Sequence, residues 1–169
     1  MRYAFWNNKG GTGKTSLAFQ VICRYAEQNT GSKILAIDAC PQANLSELFL
    51  GGLTGKGGER LLERQGLLPR CSLGGYFQLR LPSPYNVPQF DAGDFITKPS
   101  DFNQLIPDNI DLVCGDPLLE LQANAINTLS STQIPGTNTW IAVIDWVNDF
   151  LKSIKDEYEL FLEEFKKLG

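Results

Sequence analysis

The sequence predicts an α/β protein with three layers, in which a mostly parallel sheet lies between flanking helices. Short apolar runs at residues 3–6 and 34–37 are typical of strands that are buried on both faces. Between them, residues 15–28 place apolar side chains three and four positions apart and stop before Gly31, as an amphipathic helix does. A strand, a helix and a second strand in this order indicate a parallel crossover unit.

The rest of the chain continues this alternation with weaker signals. Residues 67–107 are rich in proline and glycine and predict an irregular insertion with a short helix at 73–79. A strong amphipathic pattern predicts a helix over 140–154, with Asn138 or Thr139 as its N-cap. Further helices are predicted at 43–50, 59–65 and 118–126, a third strand at 110–114, and helical spacing continues from Tyr158 through Phe161, Leu162 and Phe165 to Leu168.

Length and composition narrow the class of protein. The chain of 169 residues predicts one domain, residues 1–169, and its 43% apolar and 20% charged residues are those of a folded protein. A net charge of −4 gives no general electrostatic reason to bind nucleic acid. The absence of histidine excludes Ser-His-Asp triads and histidine metal sites. Four scattered cysteines and the lack of a membrane-spanning stretch predict a soluble protein of the cytoplasm.

A glycine-rich loop at residues 8–15, NKGGTGKT, follows the first predicted strand and opens the first predicted helix. This context is the one that a phosphate-binding P-loop requires. The glycines allow backbone N–H groups to point at phosphate oxygens, to which the positive end of the helix adds. Lys14 is then positioned for the β and γ phosphates, the Thr15 hydroxyl for Mg²⁺ and Ser16 for the α phosphate. The loop predicts a P-loop NTPase fold.

The common pattern GxxxxGK[ST] fails at Asn8, but Lys9 to Thr15 fully match the deviant Walker A pattern KGGxGK[ST]. At these residues the chain resembles the ParA/MinD family of dimerising ATPases, which includes plasmid and chromosome partition proteins. Residues 38–42, DACPQ, look like the family's DxDPQ segment. The resemblance is strong over about the first fifty residues and loose beyond them.

The resemblance implies an ATP and Mg²⁺ site and a nucleotide-dependent homodimer, in which Lys9 reaches across the interface toward the partner's nucleotide. It implies a partner protein and non-specific DNA as further ligands, although no DNA-binding surface is visible. A membrane is not an expected partner. The implied catalytic residues are Lys9, Lys14 and Asp38, the nucleotide contacts are Lys9, Gly10, Gly11, Thr12, Gly13, Lys14, Thr15 and Ser16, and the metal contacts are Thr15 and Asp38.

Two departures from the family pattern weaken the expectation of hydrolysis. Cys40 stands where the family has its second Asp, and a neutral thiol is a poor group for orienting water. The family's Walker B strand, which ends in Asp-Pro and helps to hold Mg²⁺, is missing: residues 156–162 begin like it, but residues 163–167 continue with helical spacing and no Asp-Pro pair follows. We therefore expect a sheet that is incomplete relative to the family, in a fragment or a shortened homologue truncated before Walker B.

Three function classes fit the sequence to different degrees. The leading hypothesis is an ATP-binding dimerisation switch with weak ATP hydrolysis, of the kind used in DNA partitioning. The alternative is a non-hydrolysing ATP-binding or interaction module, which Cys40 and the absence of a Walker B strand favour. The third class, a GTPase or a small-molecule P-loop kinase, is disfavoured. The guanine-reading [NT]KxD motif is absent, since residues 97–100 approach it but lack the Asp, and the sequence offers no residues for the acceptor site of a kinase.

Overall fold

A parallel sheet of four strands forms the centre of the computed structural model, which describes residues 2–5, 11–131, 143–154 and 158–164. The strands lie in the order β1-β4-β2-β3, and each neighbouring pair is parallel. This arrangement confirms the predicted fold class. The strands are β1, Arg2–Phe5; β2, Lys33–Ala39; β3, Ile110–Val113; and β4, Tyr158–Glu164.

Helices flank the sheet close to where the sequence predicts them. The irregular insertion also contains two short 3-10 helices, at Ala92–Phe95 and Pro99–Asp101. The proposed caps Asn138 and Thr139 lie outside the described residues, as does Trp140. The helices are α1, Lys14–Gln28; α2, Asn44–Phe49; α3, Gly57–Gln65; α4, Leu73–Arg80; α5, Leu118–Ser131; and α6, Val143–Ser153.

Strand β2 separates two hydrophobic cores because its side chains alternate between the faces of the sheet. Leu35 and Ile37 pack into a core shared with α4, α5 and α6. Ile34 and Ala36 pack into a second core with α1, α2 and α3. All four side chains are buried, as the continuous apolar run predicts for a parallel sheet covered on both faces. The three-layer prediction is thereby confirmed.

Strand β1 is less buried than the sequence predicts. Arg2, Tyr3 and Ala4 are exposed and Phe5 is half-buried, so the prediction of a strand buried on both faces at residues 3–6 is wrong for the described part. The exposure of β1 follows from its position in the sheet. Within the described residues, β1 pairs with β4 alone and lies at the edge of the sheet.

Strand β4 corrects the prediction of a helix from Tyr158 onward. The segment is extended and lies between β1 and β2, which together pair with it along its length. Three successive apolar residues flanked by acidic ones fit both a helical and an extended pattern, and pairing on both sides satisfies the extended backbone. Tyr158, Leu160 and Leu162 pack toward the α4–α6 core, whereas Glu159, Phe161 and Glu163 alternate with them and face α1.

The irregular insertion is fastened to the end of β3 by a buried carboxylate. Asp116 accepts a hydrogen bond from the Ser72 hydroxyl at 2.7 Å and pairs with the Arg70 guanidinium at 2.9 Å. The same Ser72 oxygen accepts from the backbone N–H of Gly75 at 3.0 Å and caps the N-terminus of α4. This network fastens the start of α4 to the end of β3.

Candidate functional site

The N-terminus of α1 lies at the carboxyl end of the sheet and has the backbone geometry of an anion site. Gly11 and Gly13 have φ values of 71° and 75°, in the left-handed region that favours glycine. The helix begins at Lys14, with no side-chain cap at Gly13 and no acidic residue in its first turn. Its first N–H groups and the positive end of its dipole are therefore available to a phosphate. The predicted contacts Lys9 and Gly10 lie outside the described residues.

Lys14 and Thr15 converge on one carboxylate, Glu163, at the end of β4. The Lys14 ammonium forms an ion pair with Glu163 Oε1, and the Thr15 hydroxyl donates to the same oxygen at 2.7 Å. Glu163 is only 1% exposed, and its other oxygen, Oε2, is buried and has no hydrogen-bond partner among the residues that the structure describes. A buried carboxylate oxygen without a partner is costly unless a cation or donor satisfies it.

Asp38, at the end of β2, has a different environment. Its Oδ1 accepts from the backbone N–H of Cys40 at 3.0 Å, and its Oδ2 accepts from the Ser46 N–H at 2.9 Å and the Ser46 hydroxyl at 2.7 Å. Both oxygens thus close the loop that leads into α2. The predicted role of Asp38 near Mg²⁺ stays a prediction, because the described contacts of its carboxylate all lie within the protein.

The two carboxylates are neighbours, since Asp38 and Glu163 are paired in register across β2 and β4. Burial raises the pKa of Asp38 to about 6, and the charge of Glu163 pushes in the same direction, while the hydrogen bonds from Ser46 and Cys40 oppose the shift. Two adjacent acids at a buried sheet edge attract positive charge. The first turn of α1 supplies part of it through Lys14.

Cys40 takes no part in this cluster of acids through its side chain. Its thiol donates to the Gln42 side-chain oxygen at 3.4 Å, and burial raises the pKa of the thiol above its ordinary value. The group is therefore a neutral thiol at neutral pH. This agrees with the view that Cys40 is a poor substitute for a carboxylate that orients water.

An open groove of about 330 Å³ begins beside the first turn of α1 and runs along α2. Its volume lies at the lower end of the range typical of small-molecule sites, about 300 to 1,000 Å³. The residues that line it are both polar and apolar: Thr15, Ser16, Asn44, Glu47, Leu48, Gly52 and Leu53.

Comparison with known proteins places this geometry in a family. The family model of AAA domains designated AAA_31 matches residues 2–162, nearly the whole chain. The chain belongs to this AAA domain family. The resemblance to ParA/MinD-type P-loop proteins is thereby confirmed. No curated protein matches the sequence significantly.

Solved structures share the fold of this AAA domain at low sequence identity. A plasmid partition protein from Borrelia burgdorferi is 16% identical with a TM-score of 0.55, over 98% of this chain and 55% of that one. Protein DIP2308 from Corynebacterium diphtheriae is 22% identical with a TM-score of 0.65, over 96% and 52%. Cobyrinic acid a,c-diamide synthase from Mycobacterium smegmatis, with a bound ATP analog and magnesium, is 14% identical with a TM-score of 0.59, over 96% and 50%. The AAA domain chain spans about half the length of these proteins.

Glu163 is the site residue that the sequence analysis misses. The sequence predicts helical spacing in this part of the chain, whereas β4 is a central strand whose carboxyl end holds an acid beside the P-loop. The available signal was the apolar run 160–162 followed at once by a carboxylate. Glu163 in place of Asp, and the lack of a following proline, concealed it.

The residues of the AAA domain fit a magnesium nucleotide. Thr15 and Glu163 offer the oxygen ligands that Mg²⁺ prefers, and Lys14 with the α1 N-terminus offers positive charge for phosphate. Among the residues that the structure describes, no group of three or more His, Cys, Asp and Glu side chains is arranged to hold a metal. The two oxygen ligands from Thr15 and Glu163 leave the other positions of a bound Mg²⁺ to phosphates and waters. Across the same ranges, no helix is long and apolar enough to cross a membrane.

Proposed function

We propose that this AAA domain binds ATP with Mg²⁺ at the N-terminus of α1 and acts as a nucleotide-dependent dimerisation switch with slow hydrolysis. The observation that carries the proposal is the convergence of Lys14 and Thr15 on Glu163, beside a helix N-terminus without a side-chain cap. Positive charge for phosphate and oxygen ligands for a metal meet there at the ends of central strands.

Each residue has a role that its position supports. Lys14 binds the terminal phosphates, and the backbone N–H groups of the first turn bind phosphate oxygens. Thr15 and Glu163 hold Mg²⁺, which when bound neutralises charge on the β and γ phosphates. Ser16 is exposed in the same turn and borders the groove, in a position for the α phosphate. Asp38 keeps the loop after β2 closed against this site.

Slow hydrolysis is supported by the surroundings of Cys40 and Asp38. The Cys40 thiol is neutral and engaged with Gln42, and both oxygens of Asp38 accept hydrogen bonds from its own loop. Neither side chain is poised to take a proton from an attacking water. The same surroundings of Cys40 and Asp38 also support the alternative, a non-hydrolysing binding module. A phosphate-release assay separates them, because activity that Lys14→Ala abolishes supports the ATPase.

The related structures lend support of two kinds. The cobyrinic acid a,c-diamide synthase structure contains an ATP analog and magnesium, and the protein from Borrelia burgdorferi is a plasmid partition protein. A role in partition, with a partner protein and non-specific DNA, is our proposal by this analogy. We also propose a cytoplasmic location, in which the four free cysteines stay reduced.

Nucleotide binding is tested by titrating a fluorescent ATP analog into the full chain with Mg²⁺. We expect Lys14→Ala to weaken binding at least about tenfold, because the phosphates lose their cation. Lys152→Ala on α6 removes the same charge at a largely exposed side chain and serves as the matched control. Equal affinity of Lys14→Ala and the wild type would refute the proposed site.

Dimerisation is tested separately through Lys9. By the role that the family resemblance implies, Lys9→Ala keeps nucleotide binding and abolishes ATP-dependent dimerisation, since a lysine crossing the interface adds positive charge at the partner's phosphates. Light scattering with and without nucleotide measures the change in mass. An unchanged dimer in the variant would exclude this role for Lys9.

A further inference from the structure

Glu163 holds both P-loop side chains that the nucleotide needs. The Lys14 ammonium and the Thr15 hydroxyl share its Oε1, although 149 and 148 residues of sequence separate the partners. We propose that Glu163 is a latch, which competes with phosphate for Lys14 and releases it in exchange for Mg²⁺. The inference rests on the proposed nucleotide site and adds its regulation: free ATP binds weakly, and Mg²⁺ controls binding through Glu163.

The competition is strong because the ion pair is poorly screened. The Glu163 side chain is 1% exposed and that of Lys14 is 17% exposed, so water weakens their attraction far less than at the surface. Asp38 lies in register beside Glu163 and adds a second acid to the same buried edge. A phosphate that takes Lys14 therefore leaves buried negative charge behind without its cation, which is costly.

The second oxygen of Glu163 is the group that allows Lys14 to be exchanged for Mg²⁺. Within the described part of the chain, Oε2 is buried without a hydrogen-bond partner, whereas Oε1 accepts from two donors. Glu163 and the Thr15 hydroxyl together present oxygen ligands of the kind that Mg²⁺ prefers. When Glu163 accepts Mg²⁺ in place of Lys14, the acid keeps a counter-charge and the ammonium is released to the phosphates. Metal and phosphate then bind in one linked step.

The length of the side chain is part of the latch. Glu163 spans the distance from the end of β4 to Lys14 and Thr15 on α1, and Asp at this position is one methylene shorter. Glu163→Asp keeps the negative charge but shortens its reach to Lys14. Glu163→Gln keeps the length and removes the charge. Comparing the two variants therefore distinguishes a latch that holds Lys14 from simple repulsion between a carboxylate and phosphate.

The test measures the affinity of the full chain for a fluorescent ATP analog, in excess EDTA and in excess Mg²⁺. We expect Glu163→Gln to bind at least about tenfold tighter than the wild type in EDTA, with its own response to Mg²⁺ below about threefold. Glu163→Asp also binds tighter than the wild type in EDTA, by at least about threefold, and keeps a response to Mg²⁺. Glu27→Gln removes an exposed acid on α1 and behaves as the wild type.

Each contrary result overturns the latch in a recognisable way. If Glu163→Gln gains no affinity in EDTA, Glu163 does not compete for Lys14. If Glu163→Asp equals the wild type while Glu163→Gln gains, the carboxylate repels phosphate without holding the lysine. A wild type that binds no nucleotide even with Mg²⁺ overturns the proposed function together with the latch. If Glu163→Gln does not fold, the Glu163→Asp result alone decides.

Discussion

Asp38 and Glu163 are paired in register at the ends of neighbouring strands, yet their partners come from different distances along the chain. The donors to Asp38 are Cys40 and Ser46, two and eight residues away. The partners of Glu163 are Lys14 and Thr15, on a helix at the other end of the sequence. Local donors make Asp38 part of the fold of its own loop. Distant partners connect Glu163 to the P-loop, which is why we propose that it responds to the ligand there.

The largest expected effect is on stability at Asp38. Asp38→Ala should lower the free energy of unfolding by about 3 to 5 kcal/mol, because three buried donors lose their acceptor. Urea denaturation followed by circular dichroism measures it. Ser46→Ala, which keeps the carboxylate and its backbone donors, should cost only about 1 to 2 kcal/mol. A loss below about 1 kcal/mol in Asp38→Ala would break the comparison.

The free energy of unfolding should depend on pH in the way expected for a buried carboxyl group at Asp38. Its pKa rises from 3.8 to about 6 on folding, so the folded state binds more protons between these values and becomes less stable as the pH rises. The contribution of Asp38 to the free energy of unfolding amounts to about 3 kcal/mol; it is fully present below pH 4 and is lost as the pH rises through 6.

Denaturation curves of the wild type and Asp38→Asn between pH 4 and pH 7 isolate this contribution. The wild type should lose stability relative to the variant as the pH rises, since Asn does not titrate. Parallel stabilities across the range would mean that the pKa of Asp38 is not raised.

The smallest expected effect is on stability at Glu163. Glu163→Gln should change the free energy of unfolding by less than about 1 kcal/mol, because the variant keeps the length of the side chain and removes a buried charge whose desolvation cost offsets the lost ion pair. The same urea experiment measures it. A loss as large as that of Asp38→Ala would make Glu163 a structural residue and erase the difference between the two acids.

The parts that the sequence predicts are those whose signal is local. The glycines of the P-loop and the apolar run of β2 act within a few residues of themselves, and both have the predicted structure wherever it is described. Strand β4 depends on distant partners. Its two inward-facing acids are tolerated because Tyr25 and Ser32 donate to Glu159 and α1 donates to Glu163. Spacing alone does not contain these contacts, so the segment resembles a helix in sequence.

The Ser46 hydroxyl joins the ends of two strands as a single pin. It donates to Asp38 at the end of β2 and accepts from the backbone N–H of Gly115 after β3, at 2.7 and 2.9 Å. Gly115 lies so close to the Cys40 carbonyl that an added β-carbon would come within 2.6 Å of it. The loops after β2 and β3 are therefore fastened to each other. The Gln65 amide donates to the Gly115 carbonyl at 3.0 Å and connects the same pair of loops to α3.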